Sequence, residues 1–83
     1  MMYHIVHPLA HGVSVITKKT MPRAMATEDT CEIAFFDQDG EWVLVVVEEF
    51  AEYSDGYSGD TLVYGYVPNE MVNDFLEKYS VSA

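Results

Sequence analysis

The sequence predicts an α+β domain, a small antiparallel β-sheet or partly closed barrel of about five strands with one C-terminal helix. Three observations carry that prediction. Short runs rich in β-branched and aromatic residues alternate with turn signals up to Pro68, a helical apolar stripe follows it, and 83 residues support one domain, 1–83. Hydrophobic residues make up 49% of the chain and aromatics 13%, which is core enough to exclude intrinsic disorder.

Residues 3–7 and 13–17 read as short strands on either side of a turn at 8–12 that holds Pro8 and Gly12. Residues 18–30 show no period and read as an exposed loop with three of the four basic residues, Lys18, Lys19 and Arg23, set apart from the acidic surface. Residues 31–36 and 41–49 read as two arms of a hairpin, because the Asp39-Gly40 pair between them suits the positive φ of a tight turn. The run at 42–47 is apolar at both parities, so that arm is expected to be covered on both faces. Residues 50–60 are polar and glycine-punctuated and read as a loop. A strand at 61–67 sets Leu62, Tyr64 and Tyr66 against Val63, Gly65 and Val67 before Pro68 stops it. Met71, Val72, Phe75, Leu76 and Tyr79 then draw one stripe along a helix at 70–79, with Asn69 as N-cap and 80–83 as a frayed tail.

Charge is the functional signal. All fourteen Asp and Glu residues lie between Glu28 and Glu77, residues 24–77 contain no Lys or Arg, and the net charge is -10. Like charges at this density weaken the compact state, so their retention points to an external use, steering a basic protein surface. The same charge opposes direct contact with nucleic acid or anionic lipid, because phosphate binding depends on Lys and Arg. The partner-binding candidates are Glu48, Glu49, Glu52, Tyr53, Asp55, Tyr57 and Asp60, where carboxylates and tyrosines share one segment and tyrosine supplies contact area at low entropic cost.

Other chemistry finds little support. His4, His7 and His11 invite a metal, but strand alternation sends His4 and His7 to opposite faces and a turn separates His11 from both. The segment 37–41 has the start of a calcium loop and not its continuation. Cys31 lies in an apolar strand, where burial makes a thiol inert, and no carboxylate pair has a recognisable apolar wall. The expectation is therefore a non-enzymatic protein with no catalytic residue, metal or cofactor. A single cysteine admits no intramolecular disulfide, the N-terminus lacks a signal-peptide pattern, and the longest apolar run, 42–47, is too short to span a bilayer; these features fit the cytoplasm.

The fragments DGEW (39–42) and GYVPNEMV (65–72) resemble parts of the SH3-like barrel domains. That resemblance implies a partly closed barrel in which Trp42 and Pro68 occupy the peptide-groove positions and receive proline-rich segments. In size and charge the chain resembles small phage-encoded acidic inhibitors, among them uracil-glycosylase inhibitors and anti-CRISPR proteins, which implies mimicry of nucleic-acid charge. Three functions follow: an inhibitor on a basic surface of a nucleic-acid-processing protein, an SH3-like adaptor for proline-rich or basic peptides, and an assembly subunit.

Overall fold

The computed structural model describes residues 1–43, 45, 47–58 and 61–81, with 54–58, 61 and 62 as backbone only. Apolar runs bounded by turns give β1 (Met2–His4), β2 (Gly12–Ile16) and β3 (Thr30–Phe36); β4 (Ser54–Ser58), β5 (Thr61–Pro68) and α1 (Asn69–Tyr79) follow a 3₁₀ segment (Glu48–Tyr53). The five strands form one antiparallel sheet in the order β1-β2-β3-β5-β4. β1 and β4 are its edges, so the sheet is open and does not close into a barrel.

One face of the sheet carries the core. Val13, Val15, Ile33, Phe35, Tyr64 and Val67 pack beneath Val72 and Phe75 of α1 and Phe50 of the 3₁₀ segment. Burying side chains of this kind stabilises by roughly 1.5–3 kcal/mol each before entropy is subtracted. Tyr64 and Val67, three positions apart in β5, both reach this core because β5 bulges. Cys31 faces Val67 and Ile33 faces Tyr64, so three steps on β5 match two on β3. The extra residue is accommodated at Tyr66, whose φ is 54° and whose N–H donates to the Met25 carbonyl at 2.8 Å. Tyr66 is consequently turned outward, and the expected simple alternation along this strand fails.

The arm expected at 41–49 is the main correction. The turn forms, with Gly40 at φ 81° and the Asp37 N–H donating to the Glu41 carbonyl at 2.8 Å. Trp42 bridges Phe36, and the Val43 N–H reaches the Phe35 carbonyl at 3.0 Å. No ladder continues among the described residues beyond that point, because β5 already occupies this edge of β3 alongside Cys31 and Ile33. The chain turns inward and is held by the buried Tyr64 hydroxyl, which donates to the Val45 carbonyl and accepts from the Val47 N–H, both at 2.9 Å. Val45 and Val47 are core and Val43 packs against it, whereas Trp42 is 46% exposed rather than covered; Leu44 and Val46 lie outside the described residues.

Three smaller expectations also change. Residues 50–58 are not a loop but the end of the 3₁₀ segment and the edge strand β4, anchored by Phe50 at 1% exposure. Asn69 does not cap α1: Pro68 takes that position, and the Asn69 carboxamide instead accepts from the Cys31 thiol at 2.8 Å and donates to the Glu28 carbonyl at 3.2 Å. Ser80 and Val81 are paired rather than frayed, with Ser80 bridging Ile5 and the Val81 N–H donating to the His4 carbonyl at 3.0 Å; Ser82 and Ala83 lie outside the described residues.

Candidate partner-binding site

The acidic candidates are presented by a short element with an apolar anchor. Phe50 sinks into the core, tilted against Phe75 with ring centroids 4.9 Å apart, and this fixes the 3₁₀ segment beside α1. Glu48, Glu49 and Glu52 are left exposed around that anchor, and Tyr53 is half-buried against the core. The turn of the segment therefore separates two jobs: one aromatic holds, and the carboxylates face water.

α1 supplies the other wall. Glu49, Phe50, Met71, Asp74, Phe75 and Lys78 line a groove of about 180 Å³ between the 3₁₀ segment and the helix. Glu70, Asp74 and Glu77 are all exposed on α1. The groove thus has a carboxylate on each wall, an apolar floor and Lys78 beside the acids, so a cationic side chain with an aliphatic stem can meet Glu49 and Asp74 while Lys78 offsets part of their charge. Glu49 is anchored in the groove, since its Oε2 accepts from the Tyr79 hydroxyl at 2.9 Å. Partial burial pushes its carboxyl pKa up, but its own backbone N–H, the Tyr79 hydroxyl and the nearby charges of Lys78 and His7 outweigh that and hold it below the ordinary range.

The remaining candidates are placed differently. Asp55 and Tyr57 lie on the edge strand β4, placed by backbone alone, and Asp60 lies outside the described residues. The helix acids lie outside the 48–60 segment that the sequence favours as the contact surface, and stand there only as an alternative face. Their signal was the i, i+4 pairs Met71/Phe75 and Asp74/Lys78, which put one apolar and one charged row on neighbouring faces of α1.

Trp42 and Pro68 are not brought together. Trp42 bridges Phe36 at one end of β3 and Pro68 pairs with Thr30 at the other. Six residues of strand place them roughly 20 Å apart, so they do not line one peptide groove. The basic loop is not wholly separate from the acids either, since Lys18 and Lys19 share a concavity of about 550 Å³ with Thr17, Thr27 and Glu28.

Among the described residues no group of three or more His, Cys, Asp or Glu is placed to hold a metal ion. His4 and His11 stack edge-on at 5.2 Å, while His7 lies against Tyr79 at 4.8 Å. Cys31 is buried, and burial pushes its thiol pKa up, away from the reactive thiolate. No helix among the described residues is long and apolar enough to cross a membrane. No protein-family model, curated protein or solved structure matches the chain.

Proposed function

We propose that this protein is a non-enzymatic binding protein that docks on a basic surface of another protein through the groove between the 3₁₀ segment and α1. The observation that carries this reading is the meeting of Glu49 and Asp74 across the floor of Phe50, Met71 and Phe75. The carboxylates draw in Lys or Arg and set the on-rate, while the apolar floor supplies area for a contact that outlasts diffusion. Where the target uses the same basic surface to grip phosphate, occupation makes this protein an inhibitor by charge mimicry, the role to which its size and acidity correspond. A single buried thiol suits a reducing cytoplasm for that encounter.

Capture of partners from source lysate by tagged protein tests the reading, with wild type compared against a Glu48→Lys, Glu52→Lys, Asp74→Asn variant. Wild type should retain a basic protein that salt releases and the variant does not retain. Equal capture of the same partner by both proteins would move the contact elsewhere. Glu49 is left intact in this variant because Tyr79 depends on it.

A further inference from the structure

The sheet face opposite α1 carries an aromatic row that the groove does not use. The strand registers place His4 across from Gly12, Gly12 across from Phe36, and Phe36 across from Trp42, so these four residues form one line over four chain segments. Their neighbours Val13 and Phe35 belong to the core beneath the helix, and alternation sends the row to the other side. Gly12 is required there. A Cβ at that position would meet the Phe36 ring at 2.0 Å, so the ring lies directly over the glycine backbone.

Phe36 is thereby buried, with His4 and Trp42 edge-on to it at 6.3 and 6.1 Å. The row ends in Trp42, which remains 46% exposed although large aromatics of this type ordinarily find cover. Beside it stands a rigid acidic turn. Asp37 Oδ1 accepts from the Asp39 N–H at 2.9 Å and from the Glu41 N–H at 3.0 Å, so the turn is held while Asp39 and Glu41 stay exposed. Asp37 and Asp39 also border an open concavity of about 360 Å³ shared with His7 and His11.

We propose that the Trp42 end of this row and the carboxylates of the 37–41 turn form a second docking surface, for an arginine-bearing segment of a protein partner. Charge complementarity selects the occupant, since residues 24–77 contain no Lys or Arg to neutralise Asp37, Asp39 and Glu41 from nearby in the chain. Arginine suits both halves: its planar guanidinium stacks on an indole and pairs with carboxylates through a fixed fork of donors, whereas lysine offers a compact, strongly hydrated charge. A preorganised turn loses little freedom when the contact forms, and tryptophan is among the residues that most often dominate such contacts. The inference stands without the groove beside α1.

Trp42 is the sole tryptophan, so its emission reports this surface alone. The probe is a short dye-labelled peptide with two arginines, followed by anisotropy for affinity and by Trp42 emission for location, with a two-lysine peptide for comparison. Two double variants remove equal charge: Asp39→Asn with Glu41→Gln, and Glu28→Gln with Asp29→Asn, an exposed pair beside the far end of β3. Saturable binding should change Trp42 emission, favour arginine over lysine, and weaken about tenfold in the first variant but less than about twofold in the second. Equal weakening in both variants would reduce the effect to net charge and overturn the proposal. So would binding that leaves Trp42 emission unmoved, or no measurable binding of the arginine peptide.

Discussion

Tyr64 shows how one side chain can replace a strand's ladder. Its ring is fully buried, and its hydroxyl satisfies the Val45 carbonyl and the Val47 N–H. Tyr64→Phe keeps the ring and strands both backbone groups, so denaturant unfolding should show a loss of about 1–3 kcal/mol. A second residue-scale test concerns Gly12, where Gly12→Ala forces the Phe36 ring aside and should cost about 1–3 kcal/mol by the same measurement. In the sequence, strand parity puts Tyr64 on one face with Leu62 and Tyr66 and does not single it out from Tyr66 as core. The sequence carries no sign of the hydroxyl's partners, which lie 17 and 19 residues away, nor of Phe36 lying over Gly12.

The elements with their own local pattern were legible, and those defined by competition were not. β2, β3 and α1 emerge within a residue of their expected ends because β-branched runs and an i, i+4 stripe specify them locally. The arm at 41–49 has an equally strong β pattern, yet among the described residues it carries no ladder past Val43, since β5 takes the edge of β3 it needed. The 3₁₀ segment has six residues with one buried, too few to show a period. That segment makes a pH prediction through Glu49. Its lowered folded-state pKa contributes stability that is fully present above the unfolded value, about 4.3 for Glu, and is lost as pH falls through the folded value. Protonating the other carboxylates relieves self-repulsion and acts in the opposite direction. Comparison with Glu49→Gln separates the two: below about pH 4 the stability difference between wild type and variant should shrink. A difference that stays constant from neutral pH to about pH 3 would show that the Tyr79 contact does not depend on charge.

At the scale of the whole molecule, a net charge of -10 on a chain of 83 residues makes self-repulsion a standing cost to folding. Raising salt from about 0.02 to 0.5 M should therefore raise the thermal midpoint, because screening shortens the range of that repulsion. The same change should weaken binding to a basic partner, giving stability and affinity opposite salt dependences. The acidic block itself was plain in the sequence, while its arrangement was not: joining Glu49 to Asp74 across one groove depends on how Phe50 seats the 3₁₀ segment against α1. The central claim is tested most directly by amide hydrogen exchange on the complex with the captured partner. The account predicts slowed exchange at Glu48–Tyr53 and along residues 70–78 of α1 relative to the free protein. Exchange unchanged at both segments, with protection confined to other parts of the chain, would contradict it.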